Sequence, residues 1–169
     1  MSVVELVRGN FVAAGLTSNT LVIYYEQSPC LAGARAIEGV ANRIGDSLER
    51  LTILVAIDGG SRPPEPAVRE VIQRTMRQFE SKMDGLAYSI HAEGFKGAAA
   101  RAAVSGILMI VKPKYPTKVF ANIPVAMSWL YSQSRGRTAV NRKEETADIE
   151  RFCMPQSANS GPSAVKRAS

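Results

Sequence analysis

The stretch that most constrains the fold is Leu51-Thr52-Ile53-Leu54-Val55-Ala56-Ile57-Asp58. It is almost wholly apolar and rich in β-branched residues, and patterns of helical period flank it. A strand with one wet face alternates apolar and polar residues. A continuous apolar run of this length reads instead as a central strand covered on both faces, the situation of a parallel sheet. The run stops abruptly at Asp58-Gly59-Gly60-Ser61. Its carboxyl end therefore opens into a polar loop, at the edge where such sheets usually bind their ligands.

The rest of the chain alternates around this strand. Val3–Val7 and Phe11–Ala14 are short extended candidates on either side of a turn at Gly9-Asn10, and Thr20–Glu26 is a β-branched and aromatic strand. Ser28-Pro29 reads as an N-cap with proline in the first helical position. Ile37, Val40, Ala41, Ile44, Leu48 and Leu51 then mark the apolar face of a helix. After the central strand, Arg62-Pro63-Pro64-Glu65-Pro66 stiffens the connection. A second helix shows Val68, Val71, Ile72, Thr75, Phe79 and Met83 on one face, with Asp84-Gly85 as its stop.

Leu86–His91 is the next strand. Phe95–Val111 is an alanine-rich helix that reads as buried between the sheet and another element, with Ala98, Ala102 and Gly106 as a close-approach row. Pro113-Lys114-Tyr115-Pro116 breaks it. Thr117–Ala121 is a last strand, and Asn122 caps a last helix over Ile123–Gln133. Strands and helices in regular alternation predict an α/β domain over residues 1–133. Its sheet is mainly parallel, with an antiparallel edge strand and about four helices. From Ser134 onward Ser, Arg, Pro, Gly and Ala dominate, so 134–169 reads as a disordered basic tail with at most a transient helix over Lys143–Phe152.

Composition narrows the function classes. The net charge is +6, but seven basic residues and only four acids lie beyond Ser134, so half of the excess charge sits outside the expected domain. No basic run is interleaved with aromatic residues, and nucleic-acid binding is not expected. Cys30 and Cys153 are too few and too far apart for a disulfide framework and read as inert thiols. The N-terminus has no secretory pattern, which places the chain in a reducing cytoplasm. The uncharged stretch Ala102–Val111 is well short of the ~20 residues a bilayer requires, so no membrane span is expected.

Motifs that carry chemistry are sparse. There is no phosphate-binding loop ending in Lys-Ser or Lys-Thr and no dinucleotide fingerprint. A single histidine, His91, and no cysteine pair at ligand spacing argue against zinc, and no cofactor is expected. Asp58, Ser61 and His91 all fall at the carboxyl edge of the sheet and can be written as a catalytic triad. Ser61, however, stands in a proline-rich loop and not on a strained nucleophile elbow, so the expectation is a non-enzyme.

The segment Thr117-Lys118-Val119-Phe120-Ala121-Asn122-Ile123-Pro124-Val125-Ala126-Met127-Ser128-Trp129-Leu130 resembles the C-terminal end of STAS-like domains, the anti-sigma-factor-antagonist fold, in its divergent bacterial branch. The order of strands and helices over residues 1–133 is similar as well. The resemblance implies a non-enzymatic regulatory module in a bacterial cytoplasm. Its partner would be a protein, such as a kinase or another regulator, or a second copy of itself.

In that family a Ser or Thr in an Asp-Ser-Ser-Gly-like turn after the central strand becomes phosphorylated. Here Asp58 matches the turn, the serine is displaced to Ser61, and the prolines that follow are foreign to it. Ser61 is the candidate phosphorylation position, where a phosphate would add about −1.5 to −2 charge at a helix entrance. The implied docking surface is Asp58, Gly59, Gly60, Ser61 and Arg62 with Arg69, Gln73 and Arg77 on the next helix. Two further readings stand beside it. One is a small-molecule or lipid sensor with an apolar pocket under the 95–111 helix; the other is a serine hydrolase using Ser61 and His91.

Overall fold

The computed structural model describes residues 2–58, 64–92, 94–111, 113–135 and 141–154, with backbone only for 107–111. Six strands form one sheet: β1 (Val4–Arg8), β2 (Val12–Thr17), β3 (Thr20–Tyr25), β4 (Leu51–Asp58), β5 (Met83–His91) and β6 (Thr117–Phe120). Among the described residues there are five helices: α1 (Leu31–Ile44), α2 (Pro66–Phe79), α3 (Gly94–Val111), α4 (Ile123–Gln133) and α5 (Arg142–Phe152). The strands stand in the sheet in their chain order. β1, β2 and β3 pair antiparallel, and β3 through β6 pair parallel. The α/β class, the antiparallel edge and the mainly parallel sheet thus match the sequence reading.

The β2–β3 hairpin turns through Ser18, whose φ of 45° is the left-handed conformation that a two-residue hairpin loop demands. β4 lies between β3 and β5, and its first six residues are buried. Its side chains divide between two cores. Leu51, Ile53 and Val55 pack under α1 together with Leu21, Ile23 and Phe79, whereas Leu54 and Ala56 pack under α4 and α5 with Val22, Met127, Leu130 and Ile149. The continuous apolar run follows directly from this two-sided burial.

Strictly sequential strand order has a geometric consequence. Parallel crossovers of one hand that always step in the same direction leave their helices on the same face of the sheet. α1, α2 and α3 all lie on that face, and only the chain after β6 is available for the other. α4 and α5 supply that cover. The expected tail therefore contains a packed helix: Glu145 and Ile149 are fully buried and Cys153 nearly so. This corrects the expectation of at most a transient helix over Lys143–Phe152. The isolated segment is too short and polar to hold a helix alone, but it completes a core that would otherwise be open.

Other boundaries differ for local reasons. α1 begins one residue after Cys30, not at Ser28-Pro29; the Cys30 Sγ accepts from the Gly33 amide at 3.4 Å. Asp84 and Gly85 do not stop α2 but lie inside β5. Asp84 is buried because Arg50 Nε donates to it at 2.7 Å and the Arg135 amide at 3.1 Å. Gly85 is there because α4 passes close, and a Cβ on it would sit 3.2 Å from Gln133 Cβ. Asn122 caps α4 as expected, its Oδ1 accepting from the Val125 amide at 3.0 Å.

The largest departure is α3. It does not lie buried between layers: Phe95 is 88% exposed, and Ala98, Ala99, Ala102 and Ala103 face outward. The close approach is made by Gly97, where a Cβ would overlap the Ala92 carbonyl, and not by the Ala98–Ala102–Gly106 row. The Arg101 guanidinium fastens the helix by donating to the carbonyls of Ile90 (3.3 Å) and Ala92 (3.1 Å) at the end of β5.

Candidate functional site

Two places hold side chains that could act. The first is a polar cluster at the carboxyl edge of β3, β4 and β5, on the α4 side of the sheet. Parallel register sets Asp58 beside His91, and the two-residue period puts Tyr24, Ser89 and His91 on the same face as Asp58. The Tyr24 hydroxyl donates to Asp58 Oδ2 at 2.8 Å, His91 Nδ1 lies 3.8 Å from Asp58 Oδ1, and Ser89 Oγ is 2.8 Å from His91 Nε2. Burial, and then the bond to Asp58, raise the Tyr24 phenol far above its ordinary value. The sequence expectation that Asp58 and His91 share this edge is met.

The cluster has the connectivity of a triad but not its accessibility. Ser89 is fully buried, so no substrate carbonyl can reach its oxygen, and it engages the imidazole nitrogen that a nucleophile from outside would need. Ser61, with Gly59, Gly60 and Arg62, lies outside the described residues. Cys153, nearby, offers no alternative nucleophile: burial pushes its thiol up to about 12, which keeps it protonated. The cluster therefore reads as a strap that ties three strand ends together. Among the described residues no group of His, Cys, Asp and Glu could hold a metal.

The second place is a cavity of about 650 Å³ on the opposite face, within the range of small-molecule sites. Its origin lies in how α2 packs. α2 leans on α1 through Val68 and Val71 against Ala34, and Arg74 Nε is 2.6 Å from Glu38 Oε1. That contact carries α2 away from the sheet. Among the described residues α3 meets chiefly β5 and β6, and the inner face of β4 and β5 between the two helices is left open.

Ile23, Val55, Ile57, Leu86 and Tyr88 form the floor of the cavity. Ile37, Ile72 and Met76 form one wall and Val104 of α3 another. Tyr25, Pro29 and Pro64 close the end at the carboxyl edge of the strands, and Tyr115 and Thr117 close the other.

Polar side chains stand at the rim. Arg69, Gln73 and Arg77, singled out in the sequence as a docking face, line the outer side of the cavity. Glu80 at the end of α2 meets Lys114 from the α3–β6 connection at 3.3 Å, which spans the rim. Periodicity alone could not have revealed the cavity, because its floor residues read as ordinary core. The available signal was the character of α3, a helix too apolar to be an ordinary surface element yet flanked by Pro113 and Pro116. Among the described residues, no helix is long and apolar enough to cross a membrane. Comparison of the chain with protein-family models, with curated proteins and with solved structures finds no match.

Proposed function

We propose that the protein is a non-enzymatic binding module that holds a small apolar molecule between its sheet and helices α2 and α3. The observation that supports this is the 650 Å³ cavity, floored by Ile23, Val55, Ile57 and Leu86 and rimmed by charge. Protein interiors are packed to crystal density, and an apolar hollow of that size, open on its outer side, leaves its floor and walls without packing partners. A ligand that fills it restores them. The sealed Ser89 supports a binding role over hydrolysis, since it leaves His91 and Asp58 without an accessible nucleophile among the described residues.

Native mass spectrometry of the purified chain, together with titration of the apolar fluorophore N-phenyl-1-naphthylamine, tests the reading. The expected results are a copurified mass or saturable fluorescence, and at least about tenfold weaker dye binding in Val55→Phe, which narrows the floor. An absence of both signals in the wild-type chain would sink the proposal.

A second reading retains the STAS-like regulatory module with a protein partner. What favours it is the outward stripe of α3, Phe95, Ala98, Ala99 and Ala102, exposed together with Arg69, Gln73 and Arg77 on α2. Contiguous exposed apolar surface marks interaction sites. On this reading, reversing Arg69 and Arg77 to Glu abolishes capture of a specific partner from a native lysate, and capture that survives the reversal removes that surface from consideration.

A further inference from the structure

The cavity is not uniformly apolar, and its polar atoms are unevenly placed. Tyr25 ends β3 at the carboxyl edge of the sheet, lines the cavity and is only 5% exposed. Tyr88 lies two strands across on the same face and lines the same space. Among the described residues neither hydroxyl has a hydrogen-bond partner, although Tyr24 and Tyr131, the tyrosines that point into the opposite core, both do. A phenol hydroxyl that is buried and unpaired is costly. Where a native structure keeps one beside a cavity, a bound molecule is the natural acceptor. Burial holds the Tyr88 phenol up at about 12 and raises Tyr25 as well, so both remain donors at any ordinary pH.

The surroundings of Tyr25 favour an anion. Pro29 and Ala34 put the first turn of α1 at the same end of the cavity. That turn carries no acidic residue, and its N-cap is the weakly accepting Cys30 thiol, so the positive end of the helix is left largely unopposed. Arg69, near the start of α2, also lines this end. Glu80, the one acid among the lining residues, lies at the far end of α2 and is occupied by Lys114. A doubly charged phosphate would call for buried cations, but Arg69 and Arg77 both stand on the exposed side of α2. Between the polar end and Glu80 the lining is mostly apolar, interrupted by Gln73, Thr75 and Tyr88.

We infer, on the basis of the binding reading above, that the ligand is an aliphatic monocarboxylate. Its carboxylate accepts from the Tyr25 hydroxyl beside the first turn of α1, its chain runs over Val55 and Leu86, and Tyr88 provides a second donor further in. The phenol contributes orientation and the apolar floor contributes most of the affinity. The site therefore discriminates head groups more than chain length, until the chain outgrows the cavity.

The test displaces N-phenyl-1-naphthylamine from the full chain at pH 8 with laurate, dodecanol or dodecyltrimethylammonium, each below its aggregation threshold. Laurate is expected to displace the dye at about tenfold or more lower concentration than the cation of equal chain length, the size of effect one hydrogen bond to a charged group gives. Tyr25→Phe is expected to bring laurate to the level of dodecanol while dye affinity stays within about twofold, and Tyr88→Phe to weaken laurate by a smaller factor. Equal displacement by anion and cation, or undiminished laurate binding in Tyr25→Phe, overturns the inference and leaves the cavity reading intact. Failure of the dye to bind the wild-type chain, together with no copurified mass, overturns both.

Discussion

Two buried tyrosines on opposite faces of the sheet provide a matched perturbation. Tyr131→Phe and Tyr25→Phe each delete one hydroxyl from a ring that is 8% and 5% exposed, respectively. They differ in what the hydroxyl touches. The Tyr131 hydroxyl donates to Glu145 Oε2 at 2.9 Å and lies 3.2 Å from the Arg142 carbonyl. Glu145 is fully buried, and its other oxygen accepts from Thr17 Oγ1 at 3.2 Å. Removing a donor from a buried carboxyl costs about 1.5–3 kcal/mol, because the acceptor cannot turn to water. Tyr131→Phe is expected to cost about 2 kcal/mol.

Tyr25→Phe leaves nothing unpaired and removes a desolvated hydroxyl, so its effect is expected to be within about 0.5 kcal/mol of zero. Urea unfolding followed by far-ultraviolet circular dichroism separates the two. At a slope of about 2 kcal/mol per molar, Tyr131→Phe lowers the midpoint by about 1 M and Tyr25→Phe hardly moves it. Equal midpoint shifts would refute the reasoning. A loss above about 1 kcal/mol in Tyr25→Phe would mean that its hydroxyl is already spoken for, and the head-group argument would fail with it.

Other consequences can be checked in the same way. Asp84→Ala takes away the acceptor of the Arg135 amide and of the half-exposed Arg50 guanidinium, and is expected to lower the urea midpoint measurably. Phe79→Ala, at a fully buried ring where α2 meets the sheet, should cost about 3–5 kcal/mol by the same measurement. Alkaline titration carries a definite sign. Burial holds the phenols of Tyr24, Tyr25 and Tyr88 above their ordinary value of 10, so above that pH the unfolded chain has released protons that the folded chain still binds. Stability from these groups is complete below pH 10 and falls as the pH rises toward 12. Tyrosinate absorbance at 295 nm should therefore rise together with unfolding, not before it. Truncation after Ser134 removes α5 and uncovers the core that Ile149 fills, and its melting temperature should fall by about 5 °C or more, since one buried isoleucine alone contributes about 1.5–3 kcal/mol.

Much of the architecture was legible because it rests on periodicity. Leu51–Asp58 announced two-sided burial, the apolar face of α1 was readable from Ile37 to Ile44, and Asn122 announced α4. What escaped the sequence were properties set by distant partners. Asp84-Gly85 has the chemistry of a helix stop, yet Arg50 and Gln133 draw both residues into a strand. Arg142–Phe152 is polar enough to read as tail, and its helix forms because Glu145 finds Tyr131 and Thr17. At the candidate site the sequence placed Asp58 and His91 together through parallel register, and it set Arg69, Gln73 and Arg77 on one face of α2. It had no means of showing that Ser89 takes the second imidazole nitrogen, or that α2 stands off the sheet. Both depend on side chains meeting across elements.

The two faces of the sheet are covered by different means, and that difference bears on function. The α4–α5 face is closed by helices that follow the last strand and are free to seat where packing is best. Its polar groups are accordingly paired, as in Tyr24–Asp58, Ser89–His91 and Tyr131–Glu145. The α1–α3 face is closed by crossover helices, each tied at both ends to neighbouring strands. α1 takes the position over β2 to β4, α2 is held against α1 by Val68, Val71 and the Arg74–Glu38 pair, and α3 is fastened to β5 by Arg101. Among the described residues nothing in that arrangement brings α2 and α3 together over Val55 and Leu86. A chain could close such a gap with larger side chains, whereas here Val104 of α3 lines it, and among the described residues two tyrosine hydroxyls beneath have no hydrogen-bond partner. The open volume is thus a matter of side-chain size as much as of topology. Enlarging Val104 to Phe should therefore stabilise the free protein while it weakens ligand binding, an opposition that a merely imperfect core would not produce.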